Sequence, residues 1–141
     1  MGSVFCGSQL KLAVFGESHG PAIGMVLDGF PAGMEVDFGL LRRQLERRRP
    51  SSAAFSTKRK EPDEPKALSG IASGVTCGSP ICMLIENRDA RSADYRTEIF
   101  RPSHADYTGF IRYKGFNDAA GGGHFSGRLT APLVMAGALC R

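Results

Sequence analysis

The chain contains no tryptophan, and its 141 residues include only three histidines and four cysteines. The cysteines form no C-x-x-C pair, and the closest two, Cys77 and Cys82, have no histidine placed to complete a zinc site. The cysteine spacing therefore predicts neither a disulfide framework nor a zinc centre. We expect reduced, mostly buried thiols.

Long apolar runs are also missing. No stretch approaches the roughly 20 apolar residues that a membrane-spanning helix needs. The first seven residues lack the charged and then apolar segments of a secretory signal. These absences predict a cytoplasmic protein with no membrane partner.

Glycine is abundant, with 18 residues, but it forms neither G-x-G-x-x-G nor G-x-x-x-x-G-K-[ST]. A dinucleotide site and a Walker-type phosphate site therefore have no support from motifs. The run Gly121-Gly122-Gly123 alone indicates a flexible turn. Because Ser126 and Arg128 follow it before a helix, the run could also present backbone N–H groups to a phosphate or a cofactor.

Positive charge is concentrated in one segment. The formal net charge is +4, yet Arg42 to Lys60 holds eight basic residues and one acid, Glu46. Such a segment faces an anion, with phosphate, nucleic acid and anionic lipid as candidates. Two alternatives stay open: arginines 47–49 stabilise a helix end, or the segment is a basic anion- or nucleic-acid-binding module. Phe55 is its one aromatic residue for base stacking.

Hydrophobic periodicity and turn residues predict four strands and three helices. The strands are expected at residues 8–15, 23–28, 67–73 and 81–86, and the helices at 37–49, 104–113 and 130–140. Residues 51–65 are expected to be a mobile loop, and residues 87–100 to be polar and irregular. Strands that arrive in pairs ahead of helices favour an α+β fold of layered antiparallel strands and helices over a Rossmann-type sheet.

Each histidine lies in a loop beside small residues. His19 follows a predicted strand, His104 follows Arg101-Pro102-Ser103 at the start of a predicted helix, and His124 follows the glycine run. One interpretation makes them structural residues, and the other places them in a shared cleft. Glu17 and Asp106 could add oxygen ligands, but no spacing matches a helix-borne metal motif, so we expect no metal.

Taken together, the motifs resemble those of the chorismate synthase family. They are GESHG at 16–20, RRRP at 47–50, a T-x-R-x-E-x-D-like run at 57–63, SGxxxGxTxGxPI at 69–81, NRD at 87–89, RS at 91–92, DY at 94–95, RPSHADYT at 101–108 and GGGHFSGRLT at 121–130. The family's chains run more than twice as long. The resemblance therefore implies that residues 1–141 are the N-terminal portion of a chorismate synthase domain, truncated at the C-terminus, with an incomplete β-α-β sandwich fold.

The resemblance implies a carbon–oxygen lyase that removes phosphate from 5-enolpyruvylshikimate 3-phosphate by 1,4-elimination to give chorismate. Reduced FMN is the implied cofactor and undergoes no net redox change, with NADPH needed only to reduce it. The implied partners are the small phosphorylated substrate and other copies of the chain in a homotetramer, with no nucleic acid. The portion alone is expected to be inactive.

The family's site residues map onto three groups in this sequence. The resemblance assigns catalysis to His19 and His104, substrate binding to Ser18, Arg48, Arg101 and Arg128, and cofactor contacts to His124, Phe125 and Ser126. His19 is implied as the acid near the departing phosphate, and His104 as the residue that protonates the reduced flavin. The segment HFSGRLT departs from the family's commoner Arg-Ser-Ser before Ala-Arg-Glu-Thr, and Ser103 replaces the usual glycine.

Overall fold

The structure is a computed structural model and describes residues 3–50, 61–88 and 99–141. Its strands are β1 (Val4–Cys6), β2 (Lys11–Gly16), β3 (Ala22–Asp28), β4 (Pro65–Ser69), β5 (Ile71–Ala72), β6 (Val75–Thr76) and β7 (Ile81–Glu86). Its helices are α1 (Phe38–Arg48), α2 (Asp106–Tyr113) and α3 (Thr130–Leu139), with short 3₁₀ segments at Ala120–Phe125 and Gly127–Leu129.

Five strands form one sheet in the order β1-β2-β3-β7-β4, and every neighbouring pair is antiparallel. Strands β5 and β6 form a separate two-stranded hairpin. In the sheet centre, Met25 lies opposite Met83, and both are fully buried. Alternate residues of β3 and β7 therefore point to one face, as the period of two requires. The predicted α+β class with antiparallel strands is confirmed.

Helix α3 covers this inner face by packing on β2, β3 and β7, and α1 packs against α3. The α1 stripe supplies Leu41 and Leu45 to the core, and α3 supplies Met135. Asp37 begins α1 as expected, because its carboxylate accepts a hydrogen bond from Leu40 N at 2.7 Å. This core anchors the two loops that carry the site, one after β2 and one before α3.

The outer face of the sheet is apolar but only partly covered. Phe15, Val26 and Leu84 lie there, half-exposed or exposed. At one edge of this face, Phe15 lines a cavity together with Tyr113 of α2.

Several predicted boundaries were wrong. Strand β2 begins at Lys11 rather than residue 8, because Gly7 N donates to Leu10 O at 2.8 Å and closes a turn from the unpredicted β1. The strand predicted at 67–73 is two strands, since Gly70 at φ +82° breaks it before the β5–β6 hairpin. Helix α2 begins at Asp106, which leaves His104 in the preceding turn.

The loop predicted at 51–65 is only partly described, since residues 51–60 lie outside the described ranges. The rest corrects the prediction: Glu61 and Asp63 are each 2% exposed, and Pro65 starts β4. The charge of this segment indicated solvent, but two of its carboxylates are held by partners inside the protein. Of the predicted irregular stretch 87–100, residues 89–98 also lie outside the described ranges.

The thiols differ from expectation in burial. All four cysteines are free, as predicted, but Cys6, Cys77 and Cys140 are exposed and Cys82 is half-buried. The three exposed ones lie on an edge strand, in a turn and after the last helix, where little can cover them.

In the described ranges, no helix combines the length and the hydropathy needed to cross a membrane.

Candidate functional site

The glycine run forms a tight buried turn rather than a flexible one. Gly121, Gly122 and Gly123 have φ angles of +61°, +86° and +52° and are all buried. A Cβ at Gly121 would lie 2.6 Å from His19 Nε2, and a Cβ at Gly122 would lie 2.6 Å from His104 Cε1. The two imidazoles therefore pack on adjacent glycines of the same turn. Ser18 belongs to the same contact, since its N–H donates to Gly123 O at 3.0 Å.

His104 is held by a carboxylate two residues away. Its Nδ1 lies 2.6 Å from Asp106 Oδ1, and its Nε2 lies toward the Gly122 position. Arg101 Nη2 also lies 3.2 Å from Nδ1 and 3.4 Å from Nε2. Asp106 and Arg101 together fix the orientation of the imidazole.

The same carboxylate holds Arg101. Asp106 accepts from Arg101 Nε at 2.8 Å, from its Nη2 at 2.9 Å and from its backbone N at 3.0 Å. The Arg101 side-chain hydrogen bond is the main reason that the pKa of Asp106 is strongly lowered, despite partial burial of the carboxyl group. Asp106 is therefore an anion at any physiological pH, and Arg101 and His104 form one rigid unit with it.

Arg48 and Arg128 share a second carboxylate, that of Asp63. Arg48 Nη2 donates to Oδ2 at 3.0 Å, and Arg128 Nη1 donates to Oδ1. The side chain of Arg48 is 16% exposed, that of Arg128 is 5% exposed and that of Asp63 is 0% exposed. Arg48 Nε and Arg128 Nη2 are buried without a hydrogen-bond partner among the described residues. One carboxylate for two guanidinium groups leaves an excess positive charge and two donors, which suits an anion.

Asn87 connects this arginine pair to the His19 turn. Its Oδ1 accepts from Arg128 Nε at 3.1 Å. Its Nδ2 donates to Glu17 O at 3.0 Å and to Gly20 O at 2.8 Å. The imidazoles, the glycine turn and the two arginines therefore form one connected site.

The three residues assigned to the cofactor lie beside this site, on the far side of the glycine turn. His124 lies between Gly16 O, 2.7 Å from its Nδ1, and Ser3 Oγ, 2.6 Å from its Nε2. Phe125 packs on α2 at Gly109, and Ser126 Oγ accepts a hydrogen bond from Arg128 N at 3.3 Å. His124 and Phe125 line an open cavity of about 450 Å³, and Ser126 does not.

Three functional candidates were missed in the sequence. Asp63 was placed in a mobile loop, Asn87 in an irregular stretch, and Asp106 was considered only as a metal ligand. The signals were the position of Asn87 directly after a buried strand and the spacing of two between His104 and Asp106. Within the described part of the chain, no three metal-ligating side chains cluster.

The basic segment is largely paired where the structure describes it. Arg42 contacts Glu64 at 2.9 Å, Arg43 contacts Asp37 at 3.6 Å, and Arg49 contacts Glu46 at 2.7 Å. Arg48 alone turns inward, to Asp63. The segment therefore serves local ion pairs and one buried anion-facing arginine, which gives the nucleic-acid-binding alternative no support. The predicted Lys58, Arg59 and Lys60 lie outside the described ranges.

The scaffold combines helices with an antiparallel sheet, and it carries two imidazoles on a glycine turn beside a buried arginine pair. Such a site is typical of an enzyme that acts on an anionic substrate. The family model for chorismate synthase matches residues 10–141. The chain belongs to the chorismate synthase family, whose members are lyases of aromatic biosynthesis.

Relatives of known name agree. The chain is 51% identical over 133 residues to the chorismate synthase of Thermococcus kodakarensis, covering 93% of the chain and 37% of that protein. It is 50% identical over 137 residues to that of Albidiferax ferrireducens, covering 96% of the chain and 37% of that protein. It is 48% identical over 143 residues to that of Bordetella petrii, covering 100% of the chain and 39% of that protein.

A solved crystal structure of chorismate synthase is also similar, with a TM-score of 0.63 and 28% identity. The match covers 93% of this chain and 32% of that one, so the fold described is a part of the family's fold. The chain spans 37–39% of the length of these curated relatives and 32% of the solved chain, and its motifs match their N-terminal portion.

Proposed function

We propose that the full family-length protein containing this sequence converts 5-enolpyruvylshikimate 3-phosphate to chorismate and inorganic phosphate. The step is a 1,4-elimination: the C–O bond to phosphate breaks, a C–H bond breaks, and a double bond forms between carbons. The observation that carries the proposal is the connected site, in which His19 and His104 pack on adjacent glycines and Asn87 joins the His19 turn to the arginine pair.

The arginine pair is proposed to bind the substrate's phosphate. Arg48 Nε and Arg128 Nη2 are buried donors that have no partner in the described ranges. Leaving a buried donor unsatisfied costs about 1–3 kcal/mol, which a phosphate oxygen would recover. Asp63 cancels one of the two positive charges and leaves the other for the ligand.

His19 is proposed to donate a proton to the departing phosphate. Its turn is one hydrogen-bonded side chain away from Arg128, so the proton donor and the phosphate-binding group belong to one network. Ser18 and Arg101 are proposed to contact other polar groups of the substrate. His104, whose Nε2 faces the glycine turn, is proposed to hold a proton for the cofactor side of the cleft.

The cavity beside His124 fits an aromatic cofactor. Phe15, Tyr113, Phe116 and Phe125 contribute aromatic walls, and Glu17 and His124 add polar groups. We propose that His124 and Phe125 line the binding place of reduced FMN and that Ser126 supports Arg128 at its edge. When bound there, reduced FMN would supply electron density to the elimination without net redox change, so NADPH would be required only to reduce it.

Family membership supports two further proposals: the full-length protein works in the cytoplasm, and it assembles as a homotetramer. The 141 residues alone are proposed to lack activity, because they span less than two fifths of the relatives' length. The carboxylate that assists flavin chemistry in the family would lie in the remainder.

The test is phosphate release under anaerobic conditions with reduced FMN, in a protein of family length that carries this sequence. We expect His19→Ala and His104→Ala each to lower turnover by roughly 10²–10⁴, the range for a lost positioned proton donor. Thr76→Val is the matched control, because its buried hydroxyl bonds Pro31 and Met34 and no residue of the proposed site. Near-normal turnover in a folded His19 or His104 variant would remove that residue from the mechanism.

A further inference from the structure

Both the nitrogen and the oxygen of the Asn87 side-chain amide form hydrogen bonds within the site. Asn87 lies directly after β7, where its backbone N–H donates to Pro21 O at 3.0 Å. Its Nδ2 donates to two carbonyls, Glu17 O and Gly20 O, at 3.0 and 2.8 Å. Its Oδ1 accepts from Arg128 Nε at 3.1 Å. Three side-chain hydrogen bonds from one half-buried residue join two functional segments.

The chemistry of the partners fixes the orientation of this amide. Two carbonyl oxygens require a donor, and a guanidinium N–H requires an acceptor, so the nitrogen must face the turn and the oxygen must face Arg128. Aspartate has no N–H for the carbonyls, and leucine has neither group. Only a carboxamide of this length satisfies both sides.

The two carbonyls are those that flank the catalytic turn. Glu17 and Gly20 bracket Ser18 and His19, and Gly20 N also donates to Glu17 O at 3.2 Å. Asn87 therefore holds both ends of the turn that presents His19. The opposite end of its amide holds Arg128, which Asp63 fixes from the other side.

We propose that Asn87 is a positioning residue that sets the place of His19 relative to Arg128. This inference rests on the proposed function, in which His19 protonates the phosphate that Arg128 binds. Asn87 takes part in no covalent step, and its role is to align His19 with Arg128. A misplacement of about 1 Å between reacting groups can cost about 10²-fold in rate.

The Asn87→Asp substitution separates the two ends of the amide. The carboxylate still accepts from Arg128 Nε, but it has no donor for Glu17 O and Gly20 O. In the family-length protein with reduced FMN, we expect kcat at saturating substrate to fall by about 10–100-fold. KM should rise as well, because the new carboxylate offsets the positive charge that Arg128 offers the phosphate. A purely structural residue would instead lower the melting temperature and leave kcat of the folded protein unchanged.

Thr76→Val is the matched control. Thr76 is 3% exposed, donates to Pro31 O at 2.6 Å and accepts from Met34 N at 3.0 Å, so it also joins two segments but lies away from the site. We expect this variant to lose stability and to keep both kcat and KM. Asn87→Gln, which carries the same amide one methylene further out, is the second test variant.

A double-mutant cycle with His19→Ala decides whether Asn87 acts through His19. If it does, adding Asn87→Asp to His19→Ala should lower turnover by less than about 3-fold, because alignment of an absent imidazole has no value. Losses that multiply would overturn the inference and leave the proposed function standing. Normal turnover in His19→Ala alone would remove His19 from the mechanism and so overturn the inference, whereas absence of phosphate release by the unsubstituted family-length protein would defeat the proposed function. Unfolding of both Asn87 variants would assign Asn87 to the scaffold and also overturn the inference.

Discussion

Removal of the Asp63 charge should be among the most costly single changes in the described part of the chain. Its carboxylate is 0% exposed and is the counter-ion of Arg48 and of Arg128, which is 5% exposed. Removing one partner of a buried ion pair costs about 3–5 kcal/mol, because an uncompensated charge stays in the interior. Asp63→Asn keeps the side-chain shape and tolerates the φ of +49° at this position, so it isolates the charge.

The neighbouring Glu64 provides the matched control. Its carboxylate pairs with Arg42 at 2.9 Å, but the two side chains are 52% and 57% exposed. Exposed pairs of this kind contribute about 0.2–1 kcal/mol. The two substitutions Asp63→Asn and Glu64→Gln are adjacent in sequence, but Asp63 is buried between two arginines and Glu64 forms one exposed pair.

The assay is urea unfolding followed by far-UV circular dichroism, with the free energy of unfolding extrapolated to water. We expect Asp63→Asn to lose about 3 kcal/mol or more and Glu64→Gln to lose about 1 kcal/mol or less. Inorganic phosphate should restore part of the loss in Asp63→Asn, since a bound anion stabilises the folded state by mass action. Equal losses in the two variants, with no phosphate effect, would refute the view that Asp63 neutralises a buried arginine pair.

Two further outcomes are expected. Arg48→Ala should weaken substrate binding by about 1.5–3 kcal/mol, the value of a charge-assisted hydrogen bond, whereas Arg42→Ala should leave affinity unchanged; titration calorimetry in the family-length protein distinguishes this from a loss of stability alone. Because the pKa of Asp106 is lowered in the fold, its stabilising contribution is present above the ordinary value of about 3.9 and declines as pH falls below it. Asp106→Asn should flatten the pH dependence of stability in that acid range, whereas Asp28→Asn, which removes an exposed carboxylate, should retain it; an unchanged acid transition in Asp106→Asn would contradict the assignment.

The sequence predicted the elements whose signals are local. Helix α1 was expected from the cap at Asp37 and the stripe that ends in Leu45, and both are found. Strand β1 was missed because its three residues are exposed and carry no alternation that burial would enforce. The boundaries of β2 and α2 differ from the predicted ones because turn hydrogen bonds, which leave no hydrophobic pattern in the sequence, decide where these elements begin.

The candidate site was predictable to the extent that its residues carry recognisable motifs. His19 and His104 both lie in loops beside small residues, and the structure places their imidazoles against adjacent glycines. The carboxylates and the amide that hold the site were not predictable from local pattern. Asp63 lies in a segment whose composition indicates solvent, and its partners are 15 and 65 positions away in sequence. Asn87 likewise depends on residues 41 and 70 positions away.

The glycine turn also sets how this region can vary through mutation. At Gly33 and Gly74, which also have positive φ, an added Cβ meets open space, so substitution there brings only backbone strain. At Gly121, Gly122 and Gly123 it would strike His19, His104 and the carbonyl of Asp118 in turn. A selection for activity should therefore treat loss of either glycine 121 or 122 like loss of its histidine. Each glycine and the imidazole that it faces are then constrained together. A substitution at either position should lower activity even when the other residue is unchanged.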